Sequence, residues 1–75
     1  MQLSDVLIHI NKVPNEAEQD KLIEQLRSLN GVIAPRISTK KQHLIFVSYN
    51  SDAIKSTTLL DKVKENGFKA QFVGI

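Results

Sequence analysis

Leu22-Ile23-Glu24-Gln25-Leu26-Arg27-Ser28-Leu29-Asn30-Gly31-Val32-Ile33 changes its hydrophobic period within twelve residues. Leu22, Ile23, Leu26 and Leu29 share one helical face, since side chains three and four apart stack above one another. Gly31 stands where a left-handed turn closes a helix without a Cβ penalty. The β-branched run from Val32 to Ser38 then reads as a strand, and Pro35, which cannot donate to a ladder, makes it an edge strand. Upstream, Asn15 is placed to cap this helix, with Glu18 three residues later completing a capping box.

The same reading extends both ways. Val6, Ile8 and Ile10 alternate with Leu7, His9 and Asn11, the period of a strand with one apolar face, and Val13-Pro14-Asn15 breaks it. Downstream, Ser38-Thr39-Lys40-Lys41-Gln42 is a polar turn. His43-Leu44-Ile45-Phe46-Val47-Ser48-Tyr49 is the strongest strand signal in the chain and is expected at the centre of the sheet. Asn50-Ser51-Asp52 ends it, Ile54 anchors the loop, and Ser56, Thr57 and Thr58 are candidate N-caps for a second helix whose face carries Leu59, Leu60 and Val63. Asn66-Gly67 closes that helix, and Phe68, Ala70 and Phe72 alternate with Lys69, Gln71 and Val73 in a last strand.

Strand, helix, strand, strand, helix, strand is most economically a ferredoxin-like βαββαβ sandwich of the α+β class. Four antiparallel strands in the order 4-1-3-2 would carry both helices on one face. The helix-facing layer is expected to hold Val6, Ile8, Ile10, Leu22, Leu26, Leu29, Ile37, Ile45, Val47, Tyr49, Leu59, Val63, Phe68 and Ala70.

The 75 residues suit one domain spanning 1–75, near the size at which burial only just outweighs chain entropy. With 41% hydrophobic and 24% charged residues the chain is expected to be globular, and no stretch is apolar enough to span a membrane. The first ten residues lack the basic, apolar and small-residue regions of a secretory signal, so a cytoplasmic location is expected. A net charge of +2 does not point to nucleic acid or membrane, though it divides as −2 over residues 1–34 and +4 over residues 35–75, an asymmetry that could orient a partner. There is no cysteine, hence no disulfide, no thiolate metal site and no redox motif.

Leu26-x-x-Leu29-x-Gly31-Val32, then Val47-x-Tyr49-Asn50, then Leu59-x-x-x-Val63-x-x-x-Gly67-Phe68-x-Ala70 together resemble the heavy-metal-associated domain family, which includes copper chaperones, mercury-binding proteins and the soluble domains of metal-pumping P-type ATPases. The resemblance spans nearly the whole chain and implies the fold above. It also places the family's Met-x-Cys-x-x-Cys segment on Val13-Pro14-Asn15-Glu16-Ala17-Glu18, so that Asn15 and Glu18 stand at the two cysteine positions. It further implies that Phe68 packs beneath that loop.

An amide oxygen and a carboxylate are hard ligands, unsuited to Cu(I) or Hg(II), and a hard ion takes about six or more oxygens. No soft-metal cofactor is therefore expected, and Asn15 and Glu18 read best as a helix start. Residual binding of a borderline ion, with Asn15, Glu18 and a histidine from another chain, is the alternative. His9 and His43 are the only histidines. Strand parity sets His43 with Ile45, Val47 and Tyr49 and His9 opposite Val6, Ile8 and Ile10; a parallel pairing of the first and third strands would also separate them by about 13 Å, so no site within one chain is expected.

On the sheet face that no helix covers, parity gathers Leu7, His9, Leu44 and Phe46, joined by Val73 and Ile75 from the last strand. Exposed apolar patches of this kind serve partner or self-association surfaces. The run Gln42 to Tyr49 distantly echoes an RNA-recognition strand but lacks its leading basic residue, its glycine and one outward aromatic, which argues against nucleic acid. No histidine is placed to activate Ser56, Thr57 or Thr58, and there is no phosphate loop or paired-carboxylate site, so no enzyme activity is expected. The expected role is a non-catalytic protein-interaction or self-association module, in a metal-handling system, acting as a homodimer or on another protein through the outer sheet face.

Overall fold

Val6, Ile8 and Ile10 point the apolar side of their alternation inward on β1 (Leu3–Ile10), where Ile8 and Ile10 are fully buried. The computed structural model describes residues 1–73. After β1 come α1 (Glu16–Arg27), β2 (Val32–Ile37), β3 (Leu44–Asn50), α2 (Ser56–Glu65) and β4 (Ala70–Phe72). The four strands form one sheet ordered β2-β3-β1-β4, which is 4-1-3-2 read from the other edge, and every pairing is antiparallel. The fold is the ferredoxin-like βαββαβ sandwich. β3 is central and β2 lies at the edge, where Pro35 stands opposite Val47 without a missing ladder donor.

One expectation fails here. β1 and β3 are antiparallel, with Val6 opposite Val47, Leu7 opposite Phe46, Ile8 opposite Ile45 and His9 opposite Leu44. The α1 crossover returns β2 parallel to β1, the following hairpin reverses β3, and β3 then slots between them running against both. His9 therefore lies beside the start of β3, next to His43, rather than at the level of Val47.

Ile8, Ile10, Ile45, Val47 and Tyr49 from the sheet meet Leu22 and Leu26 of α1, Leu59 and Val63 of α2, and Phe68. Val6, Leu29, Ile37 and Ala70 pack against this core, as do Val32, Ile54 and Leu60. Replacing a buried leucine such as Leu22 or Leu26 by alanine in so small a core costs about 2–5 kcal/mol. Pro14 is also fully buried, so the break after β1 serves as a plug as well as a turn.

α1 begins as its sequence asks. The Asn15 side chain accepts from the Glu18 N–H at 2.8 Å, and the Glu18 carboxylate accepts from the Asn15 N–H at 3.0 Å. α2 differs: its N-cap is Lys55, with no side-chain cap hydrogen bond, and Ser56, Thr57 and Thr58 lie inside the first turn. Ile54, half-buried against the core, fixes where this chain enters the helix, and that tertiary contact overrides the hydroxyl preference. Gly31 has φ +102°, and a Cβ there would stand 2.9 Å from Ile54 Cγ2. α1 has already ended at Arg27 with Ser28 as its C-cap, so Gly31 is not the C′ residue that the sequence suggests. It sits in the Leu29–Val32 turn, where the Val32 N–H donates to the Leu29 carbonyl at 3.2 Å. Its own carbonyl accepts the Asn50 N–H at 2.7 Å, and it permits the close approach of the β3–α2 loop.

Candidate functional site: the β1–α1 loop and the outer sheet face

Leaving the fully buried Ile10, the chain passes through Asn11, Lys12, Val13 and Pro14 into the α1 cap. Asn11 is clamped to the loop before β4: its N–H donates to the Lys69 carbonyl at 3.0 Å, and its side-chain oxygen accepts the Lys69 N–H at 3.1 Å. The Gln19 side chain donates to the Pro14 carbonyl at 3.0 Å and closes the loop from the helix side. Asn15 and Glu18 thus sit side by side at a well-braced helix start.

Their oxygens already have partners. Beyond the capping box, the Glu18 carboxylate accepts from the Lys12 ammonium at 3.2 Å, and that ammonium lies 5.3 Å from the centroid of the buried Phe68 ring. The Asn15 N–H, first, and Lys12, second, hold the Glu18 carboxyl below its ordinary pKa. Lys12 was not among the residues the sequence singled out, and no local pattern marks it; the return of Phe68 beneath the loop gives its position meaning. The donor set does not fit a soft ion, and an ammonium cation stands beside it. Among the described residues no three His, Cys, Asp or Glu side chains are gathered to hold a metal.

The opposite face of the sheet carries a row of one residue from each of β2, β3 and β1, with Val73, just past the end of β4, as the fourth. Arg36 of β2 stands opposite Phe46 of β3, Phe46 opposite Leu7 of β1, and the Val73 N–H donates to the Leu7 carbonyl at 2.9 Å. Phe46 is 38% exposed, Leu7, Leu44 and Val73 are half-buried, and the Arg36 guanidinium lies 5.6 Å from the Phe46 ring centroid. Ser48 and Asp5 form the next row, joined by a hydrogen bond from the Ser48 hydroxyl at 2.6 Å. Around Leu7, Phe46 and Val73 the surface dips into an open groove of about 700 Å³, which Arg36 and Asp5 also line and which reaches as far as Phe72 of β4 and Ser56 of α2 on the helix side. Ile75 lies outside the described residues. Arg36 escaped the sequence reading because a charged residue on an edge strand reads as an edge guard; only its register opposite Phe46 places it over the ring.

On the next row in the other direction, His9 faces Leu44 on one side and Gln71 of β4 on the other. His43 precedes β3 in a turn rather than continuing its alternation, so it escapes the inward parity of Ile45. The two imidazole rings meet with centroids 5.0 Å apart and planes at 73°. The sequence kept these residues apart, and the structure brings them together.

The two halves of the chain that differ in charge interleave in the sheet, since β1 from the first half lies between β3 and β4 from the second. No helix among the described residues is long and apolar enough to cross a membrane.

No family profile matches the chain, and no curated protein matches it in sequence. Among solved structures, the N-terminal domain of a potential copper-translocating P-type ATPase from Bacillus subtilis, in the Cu(I)-loaded state, matches with a TM-score of 0.84 at 18% identity, covering 97% of this chain and 90% of that one. Oxidised MerP from Ralstonia metallidurans matches at 0.83 with 10% identity over 96% and 99% of the two chains. The yeast copper transporter domain, solved in apo and Cu(I)-loaded states, matches at 0.81 with 20% identity over 92% and 93%. At these identities the likeness concerns the fold: the chain folds as these domains do.

Proposed function

We propose that this chain is a non-catalytic docking domain, built on the scaffold of metal-carrier domains, that associates with a second copy of itself through the outer sheet face. The observation that carries this reading is Phe46, 38% exposed beside its cross-strand partner Leu7 on the face opposite the helices. Arg36 and Asp5 on the same groove offer opposite charges, so a two-fold pairing that sets Arg36 of one copy near Asp5 of the other complements itself. The copper-binding context of the similar structures supports a place in metal handling, and a cytoplasmic location fits that context. Sedimentation of the wild-type chain and of Phe46→Ser over a range of concentrations tests the reading. Association that weakens in the variant, with the fold kept, supports it; a wild-type chain that stays monomeric throughout refutes self-association.

The second reading, a non-thiolate metal site at Asn15 and Glu18, rests on the alignment of these positions with the cysteines of the resembling family. It has less support, because both side chains are engaged in the capping box and Lys12 bridges to Glu18. An amide-shift titration with Zn(II), Ni(II), Cu(II) and Cu(I) separates the two: saturable shifts confined to Val13 through Glu18 and to Phe68 would favour the metal site.

A further inference from the structure

His9 and His43 meet on the outer sheet face, and neither the capping box nor the Phe46 row uses them. Their rings are 5.0 Å apart between centroids. An ion about 2.0–2.1 Å from one nitrogen of each ring, at a tetrahedral angle, separates two imidazole centres by about 5 Å. Both residues are half-buried on defined backbone: His9 is fixed in the β1–β3 ladder, and the carbonyl of His43 accepts the Ile10 N–H at 2.8 Å. Imidazole is a ligand for the late divalent ions of the first transition row, zinc among them.

We infer that His9 and His43 form a two-imidazole clamp for a late first-row divalent ion such as Zn(II), and that the same pair from a second copy of this chain completes its coordination. One chain supplies two ligands where a closed zinc site takes four, and among the described residues no third His, Cys, Asp or Glu joins them. Lys69 shares a shallow groove with His9, Asn11 and Gln71, and its charge opposes a cation there. A second copy brings its own Lys69 as well, so what it adds is ligand number, two further nitrogen donors, and not charge balance. The open sheet face leaves room for the second copy, since no helix covers the His9 and Leu44 row.

Rings at this distance and angle are also what edge-to-face packing alone gives, so the test must separate packing from ligation. Zinc chloride is titrated into the full chain while the mass is followed by sedimentation, stoichiometry by calorimetry and the imidazole signals by NMR. The expected result is one ion per two chains, a doubled mass, shifts of both imidazoles, and affinity lowered at least about tenfold in His9→Gln and in His43→Gln. Three results would overturn the inference: flat imidazole signals, binding unchanged in His43→Gln, or one ion per chain without a change of mass. The clamp goes beyond metal-free association and fails separately from it. Phe46→Ser should weaken association without zinc while zinc, at higher chain concentration, still shifts both imidazoles; His43→Gln should lose zinc binding and keep the metal-free association.

Discussion

Replacing Phe46 by serine tests whether the outer sheet face joins two copies. A phenylalanine side chain presents about 200 Å², and Phe46 keeps 38% of its surface exposed, leaving about 75 Å² for a partner to cover. At about 25 cal/mol per Å² that is about 2 kcal/mol for each copy, and about 4 kcal/mol when a two-fold counts it twice. The upper limit on the loss is thus about a thousandfold in dissociation constant, reduced by whatever part of the contact the partner leaves unfilled. Within one chain the serine forfeits the packing of Phe46 on Leu7 and under Arg36. That costs about 3 kcal/mol at most by the same area rule, against about 4–11 kcal/mol for a domain of this length. The fold should survive with a lower unfolding midpoint. Sedimentation equilibrium gives the dissociation constants, and urea unfolding at low concentration gives the fold term. Equal association of variant and wild type would refute the interface, and an unfolded variant would show that Phe46 supports the core.

Further outcomes follow from the caps and turns. Asn15→Ala removes the side-chain acceptor of the capping box and should cost about 1 kcal/mol in urea unfolding. Gly31→Ala should cost more than Gly67→Ala. Both glycines have positive φ, worth about 1–2 kcal/mol to any L side chain, but only at Gly31 would the Cβ meet atoms, Ile54 Cγ2 at 2.9 Å and the Ala53 Cβ at 3.0 Å; equal unfolding midpoints would refute the crowding. Glu18 titrates below the ordinary carboxylate range, so its contribution is present above its unfolded pKa and is lost as pH falls through the folded value. In Lys12→Gln an NMR titration should show the Glu18 pKa raised but still depressed, because the Asn15 N–H, the larger cause, remains.

The fold was legible because each element carries its own punctuation. The period of Leu22 and Leu26, the Asn15 and Glu18 box, the Asn66-Gly67 stop of α2, and the alternation through Ile45, Val47 and Tyr49 are local signals, and local chemistry enforced them, whereas α1 ends at Arg27, short of Leu29 and Gly31. The start of α2 was less legible. Three hydroxyl residues competed for the cap and none took it, because the half-buried anchor at Ile54 fixed the entry of the chain. The outer row was legible as a set of faces, since parity alone sends Leu7 and Phe46 outward, but not as contacts.

The sequence by itself determined the order and type of the elements, the buried face of each, and the absence of thiolates, since these depend on side-chain identity at fixed spacings along one chain. Only the tertiary structure decided which residues meet. The antiparallel register of β1 on β3 seats Leu7 against Phe46 and brings His9 beside His43, and the return of Phe68 beneath the β1–α1 loop sets its ring beside the Lys12 ammonium. The physical reason is that hydrophobic period fixes a face but not a neighbour. Neighbours follow from the sense of the crossover and the hairpin, and a pairing taken as parallel displaces every cross-strand contact along the sheet.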